Sequence, residues 1–301
     1  MDRESGHTPV LRNEVVDLLS PEGRSVLVDC TIGLAGHAKA LLEAADADAT
    51  LIGLDVDEAN LRFAKEVLGG FAGRIRLFKA NFSQLGEVLR EAGVAVADVV
   101  LADLGLCSDQ ISDPARGFSF AKEGPLDMRM DMSIVRTARD IIRSLNEKEL
   151  ADLIYTYGQE RYSRRIARAI TTARKVAAIN TTTNLARIVE NAYPRGVRRS
   201  RRGVHPATRT FQALRIAVND EMGHLGCLLD SLDECLSLGG RAAVISFHSL
   251  EDRRVKQAFA RMAGVGVART LTDKPVTPSA EEVQRNPRSR SAKLRAIERI
   301  S

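Results

Sequence analysis

The sequence has 301 residues, enough for one large domain or two ordinary ones, and its 44% hydrophobic content supports a buried core. Its net charge of +5 at pH 7 is a mild bias that becomes informative only where basic residues cluster. No run of residues reaches transmembrane length and the N-terminus lacks the apolar stretch of a signal peptide, which argues against a membrane-spanning or secreted protein. We therefore expect a soluble cytoplasmic protein.

The cysteines show neither C-x-x-C spacing nor a paired histidine. They are Cys30, Cys107, Cys227 and Cys235. This pattern predicts buried thiols in a reducing compartment, and it argues against a disulfide framework or a zinc site. The chemistry predicted below requires no metal.

The first 105 residues or so alternate short apolar runs with amphipathic segments. The periodicity predicts strands at 25–29, 50–55, 74–79 and 96–102. It predicts helices near 37–45, 57–68 and 83–92. Such alternation is typical of a parallel sheet that is covered by helices on both faces.

No strand-like run is found from about residue 110 to residue 205. Helices are predicted there near 137–144, 147–156, 159–175 and 182–192. Alternation then resumes with a long helix over about 206–237, a strand at 241–247, a helix from Leu250, and strands near 267–272 and 292–299. We therefore predict an α/β, parallel-sheet domain formed by residues 1–110 and 206–301, with an inserted all-helical domain at 111–205.

A glycine loop follows the first predicted strand. After the apolar run Val26–Val28, the chain continues from Asp29 through Gly33 and Gly36 to His37. Glycine lets the backbone approach a ligand closely, and the N-terminus of the next helix presents free N–H groups. The loop alone is weak support for a nucleotide-cofactor site, because a purely structural turn has the same form.

Two further predicted strands end in carboxylates, which strengthens the prediction of a cofactor site. Asp55 follows Gly33 at about the 20-residue spacing at which an acidic residue binds a ribose hydroxyl in doubly wound folds. Asp103 follows the strand at 96–102. Because parallel strands place their carboxyl ends at one edge of a sheet, we expect the loop, Asp55 and Asp103 to form one site.

The glycine pattern discriminates between nucleotide cofactors. A dinucleotide fingerprint has the form G-x-G-x-x-G and binds a pyrophosphate. This loop has only Gly33 and Gly36, so the first glycine of that fingerprint is missing. An adenosine cofactor without phosphates suits the looser loop, and we therefore expect S-adenosylmethionine. A nicotinamide-dependent oxidoreductase is the alternative enzyme class.

Basic residues concentrate in three segments. Five arginines lie between residues 195 and 202, among them Arg199 and Arg202. One face of the preceding predicted helix presents Arg161, Arg164, Arg165 and Arg168. The C-terminal segment adds Arg285, Arg288, Arg290, Lys293 and Arg295. A solvated surface explains any one of these segments, but three of them beside a cofactor domain favour RNA as a partner.

Four long segments combine residues that are unusual in a core or an ordinary loop. They are Arg116–Met130, His205–Glu221, Ile245–Arg253 and Asn286–Arg295. Together with His7–Leu11 they closely resemble the bacterial ribosomal RNA small subunit methyltransferase H family, and the resemblance extends over nearly the whole chain. It implies a class I methyltransferase (Rossmann-like) domain with an inserted helical domain. It also implies methylation of the exocyclic N4 of a cytosine in the decoding centre (P-site region) of 16S rRNA, within the small ribosomal subunit.

The resemblance further implies cofactor contacts where the motifs align. They are Ala35, Gly36, His37, Asp55, Phe82, Asp103 and Gln110. Two positions depart from the family pattern: Ala35 stands where glycine is usual, and Leu106–Ser108 stands where Val-Ser-Ser is usual. The additional methyl group of Ala35 is tolerable unless that position needs a positive φ.

Methyl transfer to a cytosine amine needs a group that orients the amine and accepts a proton. Asp103 is the first candidate for that acceptor, and a cofactor contact alone is its alternative role. His248 follows a predicted strand, where it either contacts substrate or lies in a capping loop, with Ser249 and Asp252 as an S-x-x-D cap. The residues expected to contact RNA are Arg165, Arg199, Arg202, Arg209 and His248. A non-catalytic RNA-binding assembly factor with a vestigial pocket is the alternative function.

Polar residues form two further patterns, one on the helix expected after His205 and one at Asp127 and Arg129. The helix expected after His205 has a polar face, which we expect to meet RNA or to lie at a domain junction. That face is formed by Arg209, Gln212, Arg215 and Asn219. Asp127 and Arg129 are expected to form a structural pair.

Overall fold

The computed structural model describes residues 9–194 and 205–301, with the backbone alone at residues 108 and 109. Contacts divide the chain into two compact units. The first consists of the residues up to Gly105 together with Met222–Ser301, and the second is Leu106–Glu221. In the described part of the chain, no helix is both long enough and apolar enough to cross a membrane.

A single seven-stranded sheet organises the described residues of the first unit. Its strands are β1 (Val26–Asp29), β2 (Thr50–Asp55), β3 (Ile75–Lys79), β4 (Ala97–Asp103), β5 (Leu236–Ser246), β6 (Ala268–Thr270) and β7 (Lys293–Arg299). Their order is β3-β2-β1-β4-β5-β7-β6. The strands from β3 to β5 are parallel, as predicted.

The last strand departs from the predicted parallel arrangement. β7 pairs antiparallel with both β5 and β6. The chain between β6 and β7 contains a short α-helix, Ala280–Arg285, and a 3-10 helix, Pro287–Ser291. It therefore lacks the long crossover helix that usually joins parallel strands, and β7 runs back along the sheet instead.

Helices cover both faces of the sheet, as the alternating pattern predicts. They are α1 (Arg12–Leu19), α2 (Gly36–Ala44), α3 (Glu58–Val67), α4 (Leu85–Glu91), α11 (Glu221–Cys235), α12 (Ser249–Gly264) and α13 (Ala280–Arg285). Apolar residues of α1, α2 and α3 form one core cluster with one face of the sheet. Those of α4, α11 and α12 form a second cluster with the other face. The strands between the two clusters are largely buried, which explains their continuous apolar runs.

The second unit is helical, as predicted. Its helices are α5 (Ser108–Ser112), α6 (Ala138–Ser144), α7 (Glu147–Gly158), α8 (Ser163–Val176), α9 (Thr182–Ala192) and α10 (Thr208–Asn219). Apolar residues of α6 to α10 form one core cluster. Phe211, Leu214 and Val218 of α10 belong to it, so α10 packs as part of this unit. The contact boundary at Glu221 therefore lies beyond the predicted boundary at residue 205.

The long helix predicted over 206–237 is two helices. Asp220 has a φ of 45°, in the left-handed region, and ends α10 before α11 begins. The helix predicted over 159–175 likewise begins only at Ser163, because Gln159 has a φ of 48° and ends α7. Hydrophobic periodicity continues through both breaks, which explains why the sequence did not show them.

The cysteines differ from the prediction in one respect. Cys30 and Cys235 are buried and Cys107 is half-buried, but Cys227 is exposed on α11. The expectation of a buried thiol was therefore wrong for Cys227, because it lies on the solvent face of an amphipathic helix.

Candidate cofactor and active site

The glycine loop lies between β1 and α2, as predicted. Gly33 and Ala35 have φ angles of 46° and 61°, both in the left-handed region. Ala35 is the N-cap of α2, and its side chain makes no capping hydrogen bond. The first backbone N–H groups of α2 therefore donate no hydrogen bond to that side chain. A ligand that binds at the start of a helix needs such N–H donors.

Ala35 occupies a position that needs a positive φ. Its φ is 61°, so alanine at this position strains the backbone where glycine would not. A residue with a Cβ in this region is less stable by about 1–2 kcal/mol than in the right-handed region. The Cβ is completely buried, and its contacts with the core oppose part of this strain.

Asp55 at the end of β2 holds the glycine loop. Its Oδ2 accepts hydrogen bonds from the backbone N–H of Gly33 at 3.0 Å and from Nδ2 of Asn60 at 3.1 Å. Its Oδ1 accepts from the backbone N–H of Asp57 at 2.8 Å. Burial raises the pKa of Asp55, although these hydrogen bonds oppose the shift. Since a carboxylate has about four acceptor sites, about one remains for a ligand hydroxyl.

A buried polar cluster lies beside the loop, at the carboxyl ends of β1 and β4. His37, the second residue of α2, has its Nε2 3.6 Å from Oδ2 of Asp103. In the described part of the chain, both ring nitrogens of His37 and Oδ1 of Asp103 are buried without a hydrogen-bond partner. The backbone N–H of Asp103 donates to Oγ1 of Thr31 at 2.7 Å. The structure thus brings together two of the predicted cofactor residues and leaves their side chains with unused hydrogen-bonding capacity.

Asp29 is a third member of this cluster. It was predicted only to begin the glycine loop and not to be a site residue. Its side chain is 1% exposed, and its Oδ1 accepts from the backbone N–H of Thr31 at 3.1 Å. Burial raises the pKa of Asp29 to about 6, while the interaction with His37 opposes that shift. Its position at the end of a central strand was the signal that could have identified it.

Phe82 lies after β3, as predicted. It begins a single 3-10 turn, Phe82–Gln84, which Asn81 caps through its side chain. The ring of Phe82 is half-buried, and it meets the ring of His224 edge-on with a centroid distance of 6.2 Å. Nδ2 of Asn81 and Nδ1 of His224 are 3.1 Å apart. The turn therefore fixes the position of an aromatic face in the first unit.

Gln110 belongs to the second unit. It lies in α5 and is 8% exposed, and its Oε1 accepts from the backbone N–H of Cys107 at 3.2 Å. The side chain is therefore held within its own unit, and its assignment as a cofactor contact stays a prediction.

His248 is the N-cap of α12. The cap predicted from the S-x-x-D pattern of Ser249 and Asp252 was wrong. Nδ1 of His248 accepts from the backbone N–H of Glu251, and Oε2 of Glu251 accepts from the backbone N–H groups of Phe247 and His248. Asp252 instead accepts from Arg295 at 2.7 Å and from Lys293 at 3.0 Å. Its tertiary partners on β7 explain why it does not cap the helix.

The predicted RNA-contacting arginines differ in their surroundings. Arg165 is exposed on α8, beside Arg164. Arg209 is exposed, and its Nη1 donates to the carbonyl of Gln159 at 3.0 Å. Arg199 and Arg202 lie outside the described residues. In the C-terminal segment, Lys293 and Arg295 both pair with Asp252, whose single charge neutralises one of their two charges within the fold.

The polar face of α10 bonds within the helical unit. Gln212 donates to the carbonyl of Tyr157, and Arg215 forms a two-bond ion pair with Glu221. Nδ2 of Asn219 donates to the carbonyl of Met128 at 2.8 Å. This face therefore stabilises loops of its own unit.

Asp127 and Arg129 form the predicted pair. Two hydrogen bonds of 2.8 Å join the guanidinium to the carboxylate. Burial would raise the pKa of Asp127, but the hydrogen bonds and charge of Arg129 outweigh it and lower that pKa. Their geometry is the bidentate one that gives a strong ion pair.

Comparison with known proteins identifies the family. Residues 4–300 match the MraW methylase family. The chain belongs to this family. A protein of Geobacter sulfurreducens named Ribosomal RNA small subunit methyltransferase H is 48% identical, with 98% of this chain and 99% of that protein covered. A protein of the same name from Thermotoga neapolitana is 46% identical, with 98% and 96% covered.

Solved structures of other methyltransferases are more distant from this methylase. An rRNA methylase from Streptococcus thermophilus is 10% identical with a TM-score of 0.40, and covers 96% of this chain and 94% of its own. A methyltransferase from Streptococcus mutans in complex with SAH is 12% identical with a TM-score of 0.44, and covers 98% and 99%. At these scores the likeness identifies neither a substrate nor a site.

The site residues of this methylase fit its cofactor, S-adenosylmethionine. The uncapped start of α2 provides backbone N–H groups for a ligand with a charged end. The half-buried ring of Phe82 and the remaining acceptor site of Asp55 provide an aromatic face and a hydroxyl acceptor. These three features belong to the first unit.

Proposed function

We propose that this methylase transfers a methyl group from S-adenosylmethionine to the exocyclic N4 of a cytosine in the decoding centre of 16S rRNA, within the small ribosomal subunit. The name shared by relatives at 46–48% identity supports an rRNA substrate. The buried Oδ1 of Asp103, without a hydrogen-bond partner among the described residues, is the observation that supports amine chemistry most directly. A ribosomal substrate implies a cytoplasmic location, as predicted from the sequence.

The reaction needs a proton acceptor beside the amine. When bound, the cofactor would supply a methyl group on a sulfonium sulfur, and that sulfur would keep the electron pair of the S–C bond. As the N–C bond forms, the cytosine amine becomes cationic and must lose a proton. Asp103 accepts that proton at Oδ1, and its position at the end of a central strand fixes its backbone.

The remaining cofactor residues have complementary roles in this proposal. Backbone groups of Ala35, Gly36 and His37 bind the charged end of the cofactor at the start of α2. Asp55 accepts a hydrogen bond from a ribose hydroxyl, and Phe82 packs on the adenine ring. Gln110, which the resemblance alone names, stays a predicted cofactor contact.

The helical unit supplies phosphate contacts. The exposed guanidinium groups of Arg164 and Arg165 lie on one face of α8, where they can bind the RNA backbone. Arg199, Arg202, Arg209 and His248 are the other predicted RNA contacts. Since a single amine must be reached in folded RNA, the target cytosine is unpaired or flipped out of its stack.

Transfer of labelled methyl groups to small subunits that lack the modification tests the proposal. We expect the wild-type enzyme to label the RNA and the Asp103→Asn variant, at saturating S-adenosylmethionine, to transfer at least ~100-fold more slowly. An Asp103→Asn variant with full turnover would contradict the acceptor role. RNA binding without any transfer by the wild type would favour an assembly factor.

A further inference from the structure

His37 is buried in a way that calls for a polar partner. The residue is 6% exposed, and neither ring nitrogen has a hydrogen-bond partner among the described residues. A buried polar group without a partner is unfavourable, and native structures contain few of them. A histidine at this position is therefore expected to gain a partner during function.

Among the described residues, the carboxylate oxygen nearest to the ring is Oδ2 of Asp103. The distance from Nε2 to Oδ2 is 3.6 Å, longer than a hydrogen bond. Catalytic hydrogen bonds are often long in ligand-free proteins and shorten when the ligands bind. The backbone of Asp103 is already held by Thr31, so only its carboxylate needs to be oriented.

We propose that His37 is a positioning residue for Asp103, with its Nε2–H donating to Oδ2 so that Oδ1 is left to accept the proton of the target amine. This inference rests on the proposed function, in which Asp103 is the acceptor. The roles of the two carboxylate oxygens then differ: one is fixed by the imidazole, and the other meets the substrate. His37 does not itself take the proton.

The surroundings of the ring are consistent with this assignment. Three carboxylates interact within the cluster: Asp29 from β1, Asp55 from β2 and Asp103 from β4. Asp29 is buried and interacts electrostatically with His37, so the ring lies in a negative environment. A donor N–H directed at a carboxylate is favourable there, whereas a bare ring nitrogen facing the same oxygen is not.

Two substitutions of His37 separate positioning from cofactor binding. His37→Gln keeps an N–H donor near the place of Nε2, and His37→Leu removes the donor while it fills similar space. We expect His37→Leu to lower the single-turnover rate of methyl transfer about 100-fold, with the Kd for S-adenosylmethionine changed less than about threefold. We expect His37→Gln to recover most of that rate. Equal rates in the two variants, or a loss of cofactor affinity as large as the loss of rate, would overturn the proposal.

A measurement without RNA keeps this test independent of the substrate. The ¹⁵N chemical shifts of the histidine rings, recorded with S-adenosylhomocysteine bound, report which ring nitrogen is protonated. His37 is expected to be protonated at Nε2, with a shift that changes in Asp103→Asn; the His37→Gln spectrum assigns its signal. Protonation at Nδ1 alone, or no response to Asp103→Asn, would overturn the proposal. Absence of transfer to rRNA by the wild type would instead refute the proposed function, and the ring shifts would still decide the pairing.

Discussion

Pro9 packs directly against Gly36, at the first residue of α2. A Cβ placed on Gly36 would lie 3.0 Å from Cγ of Pro9, closer than most Cβ contacts. The segment before α1 therefore restricts the residue type in the cofactor loop. The sequence pattern indicates that Gly36 lets the backbone approach a ligand. The structure adds a second reason for glycine, the contact with Pro9.

The first prediction concerns this contact. Gly36→Ala is expected to lower the free energy of unfolding by about 1–3 kcal/mol, because the methyl group overpacks the site. Pro9→Ala removes the atoms that the new methyl meets. The double variant should therefore lose less stability than the two single changes added together, by about 1 kcal/mol. Strict additivity in thermal unfolding would show that the proline does not impose the restriction.

The second prediction follows from the burial of Asp29. Burial raises its pKa from 3.8 to about 6 in the folded protein, so between these values the folded state holds a proton that the unfolded chain releases. This proton stabilises the folded state fully below pH 3.8, the unfolded pKa, and the stabilisation is lost as the pH rises through about 6, the folded pKa.

Asp29→Asn removes this titration. The stability of the variant relative to wild type should therefore increase by about 1 kcal/mol between pH 5 and pH 7.5. Urea unfolding at the two pH values measures the difference. A relative stability that stays constant, or that moves in the opposite direction, would be inconsistent with a protonated, buried Asp29.

The third prediction compares two ion pairs of similar length. Asp252 meets Arg295 at 2.7 Å, and both side chains are about nine-tenths buried. Asp230 meets Arg261 at 2.6 Å, but 69% and 60% of these side chains are exposed. Asp252→Ala leaves a buried guanidinium without its partner and should cost about 3 kcal/mol.

Asp230→Ala is the matched control and should cost less than about 1 kcal/mol, because water and salt already screen that pair. Thermal unfolding of the two variants under the same conditions gives the comparison. Equal losses would mean that the burial of Arg295 does not determine the effect.

The fourth prediction concerns the basic face of α8. Arg164→Ala with Arg165→Ala should weaken binding to small-subunit RNA and reduce the slope of log affinity against log salt by about 1–2, since each lost phosphate contact releases one counterion fewer. Binding of S-adenosylmethionine should be unchanged. Arg168→Ala is the control, because Nε of Arg168 already meets Glu147 at 3.2 Å. A salt slope unaffected by the double substitution would remove α8 from the RNA contacts.

Much of the fold could be predicted from the sequence because its signals are local. The apolar runs that end at Asp55 and Asp103 predict strands, and the predicted limits differ from the observed ones by only a residue or so. A glycine loop is predicted after the first strand and is observed there, with a positive φ at Gly33. Alternation of strands and helices predicts the layered sheet domain, and its absence from 110 to 205 predicts the helical unit.

The departures depend on contacts between distant parts of the chain. His248 caps α12 because Asp252 pairs with residues on β7, and nothing in the local pattern shows that competition. The burial of Asp29 results from neighbouring strands on both sides. The positive φ of Ala35 runs against the usual preference of alanine, so the local sequence predicts the wrong conformation.

The identity of the methylated nucleoside tests the central claim most directly. Small subunits lacking the modification are incubated with the enzyme and S-adenosylmethionine that carries a deuterated methyl group, and their 16S rRNA is then digested and analysed by mass spectrometry. We predict deuterated N4-methylcytidine at a single position, in a fragment from the decoding centre. Label on another nucleoside, or on a cytosine elsewhere in the rRNA, would contradict the proposed target.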